Sequence, residues 1–249
     1  MIRRLVWAGA LLAAAAVTHA QAQPDERRSG FHFMSPATQA LQRDDSQNPG
    51  FLWVQGGAQR FQADCARCHT AQSLRGVAAR HPAFDAATKK PVTLSARIQR
   101  CQVQHVKGAP LAAESEALLS LEAYVANASR GLPVVAPRSD PRLVPFVAQG
   151  ERLYTQRIGQ LDFSCAQCHD QNAGRRLSGS TIPQAHPTGY PIYRLEWQGL
   201  GSLQRRLRQC MTGVRAEPYA WGSDELTVLE LYLNQRAAGM AIETPGVRP

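Results

Sequence analysis

Past its first 22 residues the sequence lacks any apolar run approaching 18 residues, so no later stretch is expected to cross a bilayer as a helix. It is also short of acid. Removing Arg3 and Arg4 from the 28 Lys and Arg leaves 26 against 19 Asp and Glu, a net charge of +7. Aromatics make up only 7% of the residues. There is no nucleic-acid module motif and no basic patch interleaved with aromatics, so the usual ways of holding DNA or RNA are excluded. The excess positive charge is instead expected to meet a small anionic substrate or cofactor. Methionine is scarce as well: after Met1 only Met34, Met211 and Met240 occur.

What is present begins with a leader. MIRR is a short basic start, LVWAGALLAAAAV is an apolar run of signal-peptide length, and Ala20-Gln21-Ala22 supplies small residues for cleavage. Residues 1–22 are therefore expected to be a signal peptide cut after Ala20 or Ala22. The apolar run is short for an uncleaved anchor, and the mature chain is expected to be exported without stable membrane insertion.

Six cysteines in an oxidising compartment would ordinarily suggest three disulfides. Their spacing argues otherwise. CARCH at 65–69 and CAQCH at 165–169 are both C-x-x-C-H, whose thiols form thioethers to haem and whose histidine reaches the iron. Cys65, Cys68, Cys165 and Cys168 are thus expected to attach two covalent haem c groups, with His69 and His169 as proximal ligands. A redox dithiol or half a zinc site would explain C-x-x-C but not the repeated histidine.

The repetition extends well past the motif. Thr93, Leu94, Arg97, Ile98 and Cys101 match Ser202, Leu203, Arg206, Leu207 and Cys210 at an offset of 109. Ser115, Leu118, Leu121, Glu122, Tyr124 and Gly131 match Ser223, Leu226, Leu229, Glu230, Tyr232 and Gly239 at 108. His81-Pro82 and His186-Pro187 recur with less regular spacing. One unit has been duplicated. Phe146, Val147, Gly150, Leu153 and Tyr154 make a helical stripe, and Ser223 with Asp224 and Glu225 makes a helix start. The expected organisation is an N-terminal arm at 23–50, wrapped over a neighbouring domain or free as a tail, and domains at 51–132 and 146–249. Between the domains the prolines of 133–145 should enforce an extended linker. The expected fold class is all-α.

The sixth position on each iron stays open on residues alone. Methionine or a second histidine is the usual ligand, but no methionine lies between the first motif and the linker. The first unit offers His81, Cys101 and His105, and the second offers Cys210 and Met211. Cys101 and Cys210 occupy equivalent places, which suits two axial thiolates. A Cys101–Cys210 disulfide, free structural thiols, or histidine or methionine ligation are the alternatives. Arg206 lies one helical turn before Cys210, and Arg97 one turn before Cys101. Each would favour a thiolate and suit an oxyanion, or else form a solvated helix face or meet a haem propionate.

At this point the sequence resembles the SoxA family of diheme cytochromes c. The likeness rests on the two C-x-x-C-H motifs, the later single cysteine in each half, and YPIYRLEWQGLGSLQRRLRQCM. The resemblance implies two tandem class I cytochrome c-like domains, His/Cys ligation of both haems, and a catalytic second haem. It implies that Cys210 is an axial ligand able to carry sulfane sulfur and that Arg206 binds the sulfur anion. It further implies a periplasmic L-cysteine S-thiosulfotransferase. With a SoxX cytochrome c partner, such an enzyme joins thiosulfate to a cysteine of the SoxYZ carrier and releases two electrons. A thiosulfate dehydrogenase forming tetrathionate and a non-catalytic diheme electron shuttle are the rival expectations.

Overall fold

The computed structural model describes residues 26–249; the expected signal peptide lies outside them. Helix α1 (Pro36–Arg43) lies in the N-terminal arm, and the first unit contains α2 (Phe51–Asp64), a hairpin of β1 (Ala83–Asp85) and β2 (Lys90–Val92), α3 (Leu94–Cys101) and α4 (Glu116–Asn127). The second contains α5 (Val144–Thr155), α6 (Cys165–His169), β3 (Arg176–Leu177), β4 (Ser180–Thr181), β5 (Ile192–Arg194), β6 (Gly199–Gly201), α7 (Leu203–Gly213), α8 (Asp224–Arg236) and β7 (Gly246–Arg248). Helices carry the architecture, and the strands are short ribbons of two or three residues.

The duplicated sequence builds duplicated local structure. Thr93 and Ser202 start α3 and α7 by accepting from Ala96 N and Arg205 N, both at 3.1 Å. Ser115 and Ser223 start α4 and α8 in the same way, relieving backbone donors that a helix start leaves unpaired. Gly131 and Gly239 follow α4 and α8 with φ of +80° and +83°, the left-handed backbone that favours glycine. Helix α2 packs on α4 and α5 on α8, and each pair needs a glycine at its crossing. A Cβ on Gly57 would lie 2.0 Å from Ser120 O, and one on Gly150 would lie 2.0 Å from Val228 O. Around these crossings lie the two cores. Phe61, Leu94, Leu121 and Val125 belong to one; Tyr154, Leu203, Leu229 and Leu233 are their counterparts in the other. Each fully buried leucine contributes about 1.5–3 kcal/mol.

Strand register corrects one sequence equivalence. Ala83 pairs with Val92 in the first hairpin, and Ile192 with Gly201 in the second. The offset of 109 therefore runs back through both hairpins, and His81-Pro82 corresponds to Tyr190-Pro191 rather than to His186-Pro187. The second hairpin also gains a third strand, β7, parallel to β5.

Residues 133–145 are docked rather than free. Pro133 bridges to Ala241, Val134 N donates to Met240 O, and Val135 N donates to Ala79 O. Val134 packs with Ala79, Ala237 and Ile242 in a core shared by the two units. The prolines do exclude a continuous helix, yet Pro145 sits in the first turn of α5, where a missing N–H costs nothing. The arm is likewise wrapped, on the second unit. Asn48 Nδ2 donates to Pro245 O at 2.9 Å, and Gln42 Oε1 accepts from Val247 N at 2.9 Å. Ser29 Oγ donates to Glu243 Oε1 at 2.6 Å.

Candidate haem sites

In the second unit the motif CAQCH is itself a one-turn helix. Ser164 Oγ accepts from Gln167 N, and the Gln167 side chain returns an acceptor to Ser164 N at 2.8 Å. This reciprocal cap fixes the turn and puts Cys165 and Cys168 on one side. His169 Nδ1 donates to Pro183 O at 2.7 Å; a carbonyl can only accept, so the proton lies on Nδ1 and Nε2 is left as a lone-pair donor. Burial, together with Arg206 and Arg236, holds the His169 pKa below its ordinary value against the carbonyl's opposing pull. A neutral imidazole is the form that binds a metal. Beside it lies a cavity of about 300 Å³, lined in part by His169, His186, Arg27 and Arg236.

Cys210, on α7, lies near the two motif thiols. Burial pushes the Cys165 thiol up to about 11, with Cys210 the next contributor, and Cys168 is raised by burial and then by Cys210. Met211 does not compete. It is 6% exposed and packs among Tyr154, Leu226, Leu229 and Leu233. Met240 packs in the core shared by the units, and Met34 is buried with its sulfur 3.7 Å from Arg248 Nη1. Arg206, one turn before Cys210, donates from Nη1 to Gln209 Oε1 at 3.0 Å and makes no ion pair among the described residues.

The first unit brings together the same kinds of group in a looser setting. Cys65 closes α2, its thiol raised by burial and then by Asp64, Cys101 and Cys68. Cys68 and His69 are exposed, and the His69 ring has no hydrogen bond among the described residues. Arg67 Nη2 holds the turn by donating to His105 O at 2.7 Å. His81 is the nearer alternative ligand by chain position, but its Nδ1 donates to Val77 O at 2.8 Å and it lines a cleft between the units. His105 is exposed on a turn of π-helix. All six cysteines are free, so no Cys101–Cys210 disulfide forms.

Each unit therefore offers two thiols three residues apart, a following imidazole, a third sulfur facing them and apolar walls. That donor set fits haem c.

The electrostatics differ sharply. Arg97 Nη2 is 3.1 Å from Asp85 Oδ1, and Arg100 Nη1 is 2.8 Å from Asp85 Oδ2. Asp85 is 7% exposed. Arg100 and Thr88 hold its carboxyl well below the usual range. In the second unit Arg100 becomes Gln209, and Asp85 becomes Arg194. Sequence reading missed Asp85, Tyr190, Arg194, Glu196 and Gln209. Carrying the 109 offset sixteen residues back from Cys101 would have found the acid-to-arginine exchange.

Comparison with known proteins gives the family. A family model for the SoxA/TsdA cytochrome c domain matches residues 52–134 and 149–242, so the chain carries the haem c fold. The L-cysteine S-thiosulfotransferase subunit SoxA of Pseudaminobacter salicylatoxidans is 35% identical over 90% of this chain and 82% of its own length. The SoxA subunit of Paracoccus pantotrophus is 32% identical over 88% and 78%. A crystal structure of SoxXA from P. pantotrophus superposes with a TM-score of 0.86 at 31% identity, covering 90% of this chain and 87% of that one. The chain belongs to the SoxA/TsdA cytochrome c family, among its SoxA members.

Proposed function

We propose that this chain is the diheme subunit of an L-cysteine S-thiosulfotransferase that joins thiosulfate to a cysteine of a SoxYZ-type carrier in the periplasm. Relatives that match nearly the whole chain carry that enzyme's name, and the structural neighbour is a complex with a SoxX subunit. Cys65 and Cys68 would hold one haem c covalently, with His69 and Cys101 as its axial pair. Cys165 and Cys168 would hold the other, with His169 and Cys210. Among the described residues no helix is long and apolar enough to cross a membrane.

In the reaction the outer sulfur of thiosulfate bonds to the carrier cysteine Sγ, giving a cysteine S-thiosulfonate. The carrier thiol loses its proton and two electrons depart to the partner cytochrome. Haem bound in the second unit supplies the one-electron acceptor for that departure. Arg206, oriented by Gln209, holds the sulfonate end through its planar fork. Cys210 would both help hold that haem and handle sulfur, since a cysteine sulfur can carry a persulfide and a thioether cannot.

The observation that carries this reading is the separation of neighbours on α7. Cys210 lies near the two motif thiols while Met211 is buried in the core. Purified complex, thiosulfate and carrier, followed by mass spectrometry of the carrier, test it. Thiosulfonate on the carrier cysteine is expected; free tetrathionate formed at full rate without any carrier would overturn it in favour of a thiosulfate dehydrogenase.

A further inference from the structure

We infer that Arg194 is a second anion-holding residue of the Cys210 site, acting with Arg206 to position a dianionic sulfur oxyanion of the thiosulfate class. The inference rests on the reading of Cys210 as the sulfur-handling group and adds a specificity-determining residue to it.

The repeat supplies the first ground. Arg194 ends β5 where Asp85 ends β1, and both strands sit in hairpins of identical register. In the first unit the buried acid at this position ties up both arginines of α3. In the second unit the same position carries a cation. The remaining acid, Glu196, has moved outward and is 53% exposed, whereas Asp85 is buried. The exchange therefore takes negative charge away from the arginine beside the cysteine and adds positive charge in its place.

Local contacts supply the second. Arg194 is 8% exposed. Its Nη2 lies 2.8 Å from Glu196 Oε2, and its Nε donates to Pro249 O at 2.8 Å. Its guanidinium lies over Trp197 at 5.1 Å. Glu196 Oε1 also accepts from Gln209 Nε2 at 3.3 Å, and Gln209 Oε1 accepts from Arg206. One chain of contacts thus orients both guanidiniums, and Arg194 Nη1 keeps no partner among the described residues. Besides burial, Arg206 and then Glu196, Tyr190 and Cys210 lie close enough to act on the Arg194 charge. Two partly buried guanidiniums that repel each other cost free energy unless anions answer them. Glu196 answers part of that charge, and the remainder, centred on Arg206 and on the unpartnered Arg194 Nη1, is left for a bound anion.

The test uses the intact holo-complex with its partner cytochrome. Thiosulfate KM and kcat for carrier conjugation are measured alongside calorimetric thiosulfate binding and the potential of the second haem. Arg194→Gln is expected to raise KM and weaken binding about 10- to 100-fold, the worth of a charge-assisted hydrogen bond, with kcat changed far less. Arg194→Lys, which keeps the charge and loses the fork, should raise KM only a few-fold. It also decides the matter if Arg194→Gln fails to fold, because unchanged KM and binding in Arg194→Lys would then overturn the inference. A shift of haem potential with KM and binding unchanged would assign Arg194 to a haem propionate and overturn it too. Arg206→Met is measured in parallel. If Arg206→Met raises KM and Arg194→Gln does not, Arg194 is excluded while the sulfur site stands. If Arg206→Met leaves KM unchanged, the underlying site reading itself fails.

Discussion

The two halves of the molecule place an arginine and a cysteine one helical turn apart on matching helices, α3 and α7, behind matching hairpins and matching serine or threonine caps. Their surroundings diverge. Asp85 locks Arg97 and Arg100 in the first unit, and the His69 end of the motif lies open to solvent. In the second unit the motif is a capped helical turn, its histidine is anchored to Pro183 O, and Arg206 is left without a carboxylate partner. Duplication preserved the donor set for a haem in both places. Only one copy also keeps free positive charge beside the later cysteine, so the second unit is the one suited to receive an anion.

The comparison breaks most visibly at the cysteines. Cys210→Ala should lower thiosulfate conjugation by about tenfold or more, while Cys101→Ala should leave the rate within about twofold; steady-state assays at matched haem content check this. The arginines follow. Arg206→Met should raise thiosulfate KM about 10- to 100-fold, whereas Arg97→Met should leave KM unchanged because Arg97 already answers Asp85. Equal effects at the two arginines would erase the electrostatic distinction.

How far the sequence reveals these sites depends on what each feature requires of the chain. Covalent haem attachment needs contiguous residues, so the CARCH and CAQCH motifs proposed for it are legible at sight. Cys101 and Cys210 become legible through their constant offset. The exclusion of Met211 is not, because adjacent residues on a helix point about 100° apart and only packing shows which one meets the core. Asp85 and Arg194 stay hidden because opposite charges at equivalent positions look like divergence until the hairpins are superposed. The prolines of 133–145 state what the backbone cannot form, not that Val134 docks into a shared core. The N-terminal arm carries little apolar periodicity because polar side chains such as Gln42 and Asn48 anchor it to backbone groups of the second unit.

Where the halves agree, smaller and symmetrical effects are expected. Glu122 and Glu230, equivalent residues on α4 and α8, line the same inter-unit cleft. Burial, with Glu230 and Glu114 nearby, pushes Glu122 up to about 8; burial and Glu114 push Glu230 up to about 7. A carboxyl raised in the folded state binds protons that the unfolded chain has already released above its ordinary value of 4.5. Its contribution is full below that value and is lost as pH rises through 7 and 8. Thermal melts of the holoprotein should therefore show stability falling between about pH 5 and 8 by on the order of a few kcal/mol and levelling off above that. Glu122→Gln should flatten part of that slope. Smaller still, Thr93→Ala and Ser202→Ala should each cost about 1 kcal/mol, and denaturant melts giving nearly equal losses would confirm that the caps, unlike the charges, were kept alike.

The central claim is that sulfur chemistry belongs to Cys210 and not to its twin. Mass spectrometry of the peptides containing Cys101 and Cys210, after incubation of the complex with thiosulfate, tests it most directly. An additional sulfur atom on a fraction of the Cys210 peptide, with the Cys101 peptide unmodified, is the predicted result; the added sulfur on Cys101, or on both cysteines equally, would contradict it.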